Sequence, residues 1–223
     1  MQKYSVFNLI KNALSNHQNW DLAWKDPTPK NEYDVIIIGG GGHGLATAYY
    51  LAKEHKITNV AIIEKGWIGG GNVGRNTTII RSNYMHDENG LFYEKSMDLW
   101  RNMSQDLNYN VMFSPRGIIN LAHSDAQMNT YTRRGNSMRL NGIDAVLLGR
   151  EEIKKIVPML DFSENVRFPI FGGLMQPSGG TARHDAVAWG YARQADSMGV
   201  DIIQNCEVTG FDVVNGKIQG AKT

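Results

Sequence analysis

The 223-residue sequence predicts an α/β fold, a parallel sheet with helical crossovers that is interrupted by an inserted second domain. Three observations carry that reading. Two β-branched runs, Asp34–Ile38 and Val60–Ile63, flank a glycine turn and a helical pattern. A second helix-to-apolar-run step recurs late, over Asp185–Ile203. Fourteen of the 24 glycines fall in three clusters, Gly39–Gly44, Gly66–Gly74 and Gly172–Gly180, and clustered glycine marks backbone that turns tightly or approaches something closely. Three such places point to a ligand contacted from several parts of the chain.

Composition narrows the class. A chain that is 42% hydrophobic, with a net charge of +1, is neither a disordered segment nor a polybasic nucleic-acid binder. The single Cys206 excludes an internal disulfide framework and a cysteine-based zinc site, and points to a reducing compartment, expected to be the cytoplasm. The six histidines are scattered without metal-ligand spacing. No apolar run approaches the ~20 residues that span a membrane. Met1–Ile10 lacks the long apolar region of a secretory signal. A globular intracellular protein with neither nucleic-acid nor membrane partner is expected.

Residues 1–33, with Trp20, Trp24, Pro27 and Pro29, read as an arm with a short helix around Phe7–Ser15. Asp34–Ile38 suits a strand buried on both faces. His43–His55 places Leu45, Ala48, Tyr49 and Ala52 at helical spacing, and Val60–Ile63 gives the next strand, completing a βαβ unit. Glu88–Leu107 is helical through Phe92, Leu99 and Met103, Gly117–Ala122 is a strand candidate, and Ser124–Leu140 is a helix closed by Asn141-Gly142. Its Arg133, Arg134 and Arg139 read as a solvated face. Gly149–Ile156 is a short helix ended by Pro158. Asp185 is a good N-cap for a helix running to Met198, which leads through Gly199 into the strand Val200–Ile203. Cys206 is expected in a strand as a small core residue. Asn215-Gly216 signals a type I′ hairpin between Glu207–Val214 and Lys217–Ala221. Residues 34–85 and 185–223 therefore make one split domain, and 86–184 an inserted, incomplete α+β substrate domain.

The chemistry concentrates after the first strand. Gly39-Gly40-Gly41-Gly42-His43-Gly44 fits G-x-G-x-x-G. Gly39 allows the tight turn, Gly41 lets amides approach a pyrophosphate, and Gly44 permits close packing of helix on strand. The helix N-terminus offers unpaired N–H groups to phosphate, with Gly42 and His43 contributing backbone and shape. Glu64 closes the second strand at the spacing that lets a carboxylate accept the hydroxyls of an adenine-linked ribose. This is the pattern of a dinucleotide site in a Rossmann-like domain. The residues after Glu64 favour FAD over NAD. Lys65 leads into a glycine-rich segment through Asn72, Arg75, Asn76, Thr77, Thr78 and Ile79, suited to run back along the cofactor and offer backbone N–H groups. Arg81 can face a substrate carboxylate or a flavin phosphate, and an ion pair is an equal alternative. His184, read alone, is a helix-start residue beside Arg183.

Gly39–Ala52 (Gly-Gly-Gly-Gly-His-Gly-Leu-Ala-Thr-Ala-Tyr-Tyr-Leu-Ala), Arg75–Tyr84 (Arg-Asn-Thr-Thr-Ile-Ile-Arg-Ser-Asn-Tyr) and Gly199–Phe211 (Gly-Val-Asp-Ile-Ile-Gln-Asn-Cys-Glu-Val-Thr-Gly-Phe) resemble the β-subunit family of heterotetrameric sarcosine oxidases. The resemblance runs from about Trp24 to the last residue. It implies a glutathione-reductase-type FAD domain and an oxidative demethylation of sarcosine to glycine and formaldehyde with hydrogen peroxide. It also implies non-covalent FAD, an FMN joined covalently to His184, backbone contacts to adenine from Val208, and α, γ and δ partner subunits. Members of that family continue for nearly as much chain again. The residues that grip substrate are expected in that further part, no catalytic residue is assigned within this chain, and residues 1–223 alone are not expected to oxidise sarcosine. A related flavin amine oxidase acting on dimethylglycine, glycine or a D-amino acid, and a non-enzymatic assembly fragment, are the alternatives.

Overall fold

A computed structural model describes residues 5–18 and 22–223, so Trp20 lies outside the described residues. The chain forms two compact units. One comprises the chain up to Thr77, Gln105–Val111 and Arg183–Thr223; the other comprises Thr78–Ser104 and Met112–Ala182.

In the first unit, α1 (Val6–Leu14) starts at Ser5, whose hydroxyl accepts from the amide of Asn8 at 3.2 Å. Three strands form a parallel sheet in the order β1 (Val35–Ile38), β2 (Val60–Ile63), β8 (Asp201–Ile203). Val35 faces Val60 at one end, and Ile63 faces Ile203 at the other. The central β2 is buried throughout. β1 departs from the expected double burial: Ile36 and Ile38 are 38% and 53% exposed. Successive side chains point to opposite faces, and Ile37 is the one turned toward the crossover helix, 3.2 Å from where a Cβ on Gly44 would lie.

That helix, α2 (Gly42–His55), buries Leu45, Ala48, Tyr49 and Ala52. It packs on α6 (His184–Ser197), where Ala188, Ala192 and Ala195 are small enough for close approach. The Tyr49 and Tyr191 rings meet edge-on at 5.4 Å. On the sheet's other side Ala61, Ile63 and Ile203 pack with Tyr33, Cys206 and Val208. Cys206 thus lies in the core margin but beyond β8, in a non-strand segment. The N-cap of α6 is Arg183 and not Asp185, which is the second helical residue. There its carboxylate accepts from the Ala186 amide at 2.8 Å and from Arg183 Nε at 2.9 Å. β9 (Gly210–Val214) and β10 (Lys217–Lys222) form the expected hairpin. Asn215 and Gly216 both adopt positive φ, +52° and +75°, as a type I′ turn requires.

In the second unit the antiparallel order is β4 (Ile118–Ala122), β6 (Gly172–Gln176), β5 (Val146–Gly149). A two-stranded ribbon joins β3 (Ile79–Ile80) to β7 (Gly180–Thr181). Around them lie α4 (Asp125–Leu140), α5 (Arg150–Ile156) and most of α3 (Asp87–Asp106). α4 is capped by Ser124 and closed at Gly142, where φ is +76° and the Ile143 amide bonds Met138 O. Met138, Ile143, Ala145 and Leu174 form one apolar cluster; Leu148, Ile153 and Ile170 form another.

The third glycine cluster serves packing within this unit, with Gly172 and Gly173 in β6 and Gly180 in β7. A Cβ on Gly172 would meet Leu148 O at 2.7 Å, one on Gly173 would meet Asn120 O at 2.7 Å, and one on Gly180 would meet Ser114 O at 2.1 Å. β6 needs glycine because its neighbours press on it.

Candidate functional site

The glycine turn occupies the junction between β1 and α2. Gly39 leaves the strand at φ +105°, and its amide donates to Ile63 O at 2.8 Å. A Cβ on Gly44 would lie 2.1 Å from Gly39 O, so helix and turn are in contact there. At Gly39 and Gly41 the space is open: a Cβ would find nothing within 4 Å at the first and only Val73 Cγ2, at 3.9 Å, at the second. Gly41 is the N-cap of α2 and supplies no side-chain cap, so the first amides of the helix keep their donor capacity toward that space. Gly42 approaches Val73 more closely, at 3.3 Å from its would-be Cβ, and His43 is exposed.

Glu64 emerges from β2 between two amides. Gly40 N donates to Oε2 at 2.7 Å and Gly66 N to Oε1 at 2.8 Å. Each carboxylate oxygen has roughly two acceptor directions, so one per oxygen stays open. The segment after Glu64 folds back onto the turn. Gly69 N donates to Gly40 O at 3.3 Å, and Val73 stands over Gly41 and Gly42. Lys65 is exposed, as are Asn72, Arg75, Asn76 and Thr77. Asn72–Arg75 is a short 3₁₀ helix, and Asn76 Nδ2 donates to Val73 O at 2.8 Å.

His184 is the first residue of α6, and its Nδ1 is buried with no hydrogen-bond partner. Val208 sits half-buried against Ile63 and Ile203.

Thr78, Ile79 and Arg81 belong to the second unit. Thr78 holds φ at +62°, strained for a β-branched residue, and its carbonyl accepts from the Ala182 amide at 3.1 Å. Arg81 lines a cleft with Tyr84, Tyr93, Ser96 and Trp100. Its guanidinium lies 4.9 Å from the Tyr84 ring centroid, and Tyr84 stacks on Tyr93 at 4.2 Å. Burial pushes the Tyr84 phenol up, as does its hydrogen bond with Tyr93; the Arg81 charge acts the other way. The ion pair that the sequence left open for Arg81 is not formed among the described residues. It donates instead to the neutral Asn83 Oδ1 at 2.6 Å.

Arg134 departs from the solvated helix face expected of it. It is half-buried and donates through Nε to Asn83 O at 2.7 Å. Burial lowers its pKa, and the neighbouring Arg81 charge adds to that. No motif marks it in the sequence. Asn83 and Gln176 are buried polar residues whose burial the sequence does not mark, although Asn83 falls within the Arg75–Tyr84 string.

A glycine turn that opens a helix, a carboxylate held at the end of the next strand, and a segment folding back over the turn define a dinucleotide-binding flavoprotein half-site. The family model described as "FAD dependent oxidoreductase" matches residues 34–223, and the chain belongs to that family. It is 63% identical over 221 residues to the sarcosine oxidase subunit beta of Rhizobium meliloti, covering 99% of this chain and 53% of the relative. It is 53% identical over 203 residues to the subunit of the same name from Arthrobacter, covering 91% of this chain and 50% of the relative. Among solved structures it is similar to L-proline dehydrogenase from P. horikoshii, with a TM-score of 0.80 and 29% identity over 87% of this chain and 50% of that one. The chain spans about half the length of the curated relatives it matches. It is an FAD-dependent oxidoreductase chain similar to sarcosine oxidase β subunits. Among the described residues no helix is long and apolar enough to cross a membrane.

Proposed function

We propose that this chain supplies the FAD-binding half-site of a sarcosine oxidase β subunit, which oxidatively demethylates sarcosine to glycine and formaldehyde and forms hydrogen peroxide. The observation that carries the reading is the 63% identity to a sarcosine oxidase subunit beta across nearly the whole chain. That name also supports assembly with other subunits; the family resemblance makes these α, γ and δ, and a cytoplasmic location goes with the reading. The open space before Gly39 and Gly41, and the free acceptor directions on Glu64, fit FAD. His184, at the first position of α6, is the attachment point for covalent FMN that the family resemblance implies.

When bound, FAD supplies the acceptor for hydride from the substrate N-methyl group, and FMN the onward route of electrons to oxygen. The residues of this chain bind and orient. The amides at the start of α2 hold pyrophosphate, Glu64 holds a ribose, Val208 offers backbone to adenine, and the segment Lys65–Ile79 follows the cofactor. Arg81, which lines the cleft and is opposed by no carboxylate among the described residues, takes the carboxylate of a small N-methyl amino acid. The test uses the assembled enzyme containing this chain. Sarcosine should release peroxide and formaldehyde in equal amounts, and Gly41→Val should abolish both together with bound FAD. Unchanged FAD content in that variant overturns the assignment of the turn.

A further inference from the structure

Two guanidinium groups converge on one buried neutral amide. Asn83 is fully buried. Its Oδ1 accepts from Arg81 Nη1 at 2.6 Å and from Arg134 Nη2 at 3.1 Å. Arg134 also grips the Asn83 carbonyl through Nε and Nη2. The Asn83 amide nitrogen donates to Asn120 Oδ1 at 2.7 Å, which fixes the orientation of the side chain. Nearby carboxylates are engaged elsewhere. Glu94 accepts from Ser82 Oγ at 2.7 Å and pairs with Arg101 at 3.2 Å, while Asp144 accepts from Ser178 N at 2.6 Å. Among the described residues, no ion pair reaches Arg81 or Arg134.

This arrangement is costly unless it has a use. A carboxylate at position 83 would satisfy both guanidiniums through charge-assisted bonds, roughly twice as strong as neutral ones. The amide holds the same geometry without cancelling the charge. Arg81 is further braced against the Tyr84 ring, which is itself stacked on Tyr93, so one face of the guanidinium is fixed while the group lines the cleft.

We propose that Asn83 is a positioning residue that holds Arg81 at the cleft while leaving its positive charge free for the carboxylate of a small amino-acid substrate. The proposal rests on the reading of Arg81 as the carboxylate-binding group. Asn83 contributes no atom to the substrate. It acts by fixing the guanidinium and by being uncharged.

Asn83→Asp separates these two contributions. Its carboxylate keeps the acceptor toward Arg81, and a flip of the Asn120 amide can restore the remaining bond. In the assembled enzyme, KM for sarcosine should rise about tenfold or more, the scale of a hydrogen bond to a charged group, while kcat changes little. The inhibition constant of acetate should rise in parallel, and that of the uncharged acetamide should stay unchanged. A merely structural role would move both inhibitors alike or lower kcat. Asn83→Ala, which removes the acceptor without adding charge, should also raise KM for sarcosine, and it serves if Asn83→Asp fails to accumulate. Arg81→Gln separates the two levels of inference. If it leaves KM for sarcosine unchanged, Arg81 does not bind the carboxylate and the underlying reading fails. If it raises KM while Asn83→Asp and Asn83→Ala do not, the positioning role of Asn83 is overturned.

Discussion

Glu64 Oε2 lies 2.7 Å from the amide nitrogen of Gly40, so the acid that ends β2 is tied directly to the glycine turn that opens α2. With Gly66 N bonded to the other oxygen at 2.8 Å, the carboxylate spans two loops of the half-site. The acid is therefore oriented by the protein's own backbone, and in the proposed FAD site a ribose would add to an ordered acceptor. Such preorganisation lowers the ordering cost of binding.

Glu64→Ala should accordingly do two things. It removes two hydrogen bonds to an ionised acceptor, each on the order of 1.5–3 kcal/mol, and it removes the ribose partner. FAD retention after gel filtration should fall sharply, and the thermal midpoint of the cofactor-free protein should fall as well. Loss of FAD with an unchanged midpoint would mean that the Gly40 and Gly66 bonds contribute nothing to the fold.

The glycines of the turn should divide by what surrounds them. At Gly44 a Cβ would stand 2.1 Å from Gly39 O, a backbone atom that cannot swing aside. Gly44→Ala should therefore displace α2 from β1 and lower accumulation of folded protein. At Gly41 a Cβ meets nothing nearer than Val73 Cγ2, at 3.9 Å. Gly41→Ala should fold with a midpoint near that of the wild type and bind FAD less tightly. Thermal melts and FAD content of the two variants, measured side by side, check the division; equal melts would remove it.

The alkaline limb of stability should be set in part by the tyrosine group between α2 and α6. Tyr191 is 6% exposed, and burial pushes its phenol well above the ordinary value of 10.0, with Tyr50 adding to the shift. Burial raises Tyr49 too. The folded state keeps these protons while the unfolded chain releases them from pH 10 upward. Their contribution is thus complete below pH 10 and is lost progressively above it. Tyr191→Phe should lose less stability than the wild type between about pH 8 and about pH 11 in denaturant titrations. Parallel loss in both proteins would contradict the assignment.

The sequence was most informative where local chemistry decides structure. β-Branched runs around the glycine turn gave β1, α2 and β2, and Asn215-Gly216 gave the hairpin, because positive φ is a property of those residues themselves. It was least informative where a distant partner decides. Gly172 and Gly173 read as part of a glycine cluster approaching a ligand until Leu148 O and Asn120 O are seen against them. The alternating exposure of β1 depends on which side of the sheet is covered, which a run of three isoleucines does not encode. Arg134 reads as one arginine among three on a polar helix. Only the fold brings its guanidinium to Asn83, 51 residues away in sequence. At the half-site the motif residues were legible, whereas the two amides holding Glu64 were not.

His184 Nδ1 is buried yet unbonded at the first position of α6, and a buried ring nitrogen without a partner forgoes a hydrogen bond worth about 1 kcal/mol. The neighbouring Arg183 and Asp185 are paired with each other at 2.9 Å and do not satisfy the ring. Because Nδ1 is enclosed by protein, the bond to FMN proposed for this histidine would fall to the other ring nitrogen, Nε2. In the assembled enzyme, acid-precipitated protein should retain FMN on the peptide containing His184. His184→Ala should lose that acid-stable flavin and keep dissociable FAD, because the glycine turn and Glu64 are untouched. The thermal midpoint of the cofactor-free His184→Ala protein should stay level or rise, since an unsatisfied polar atom has been removed. A peptide free of flavin in the wild type would end the covalent assignment, and a large fall in the midpoint would show that the ring is there for packing.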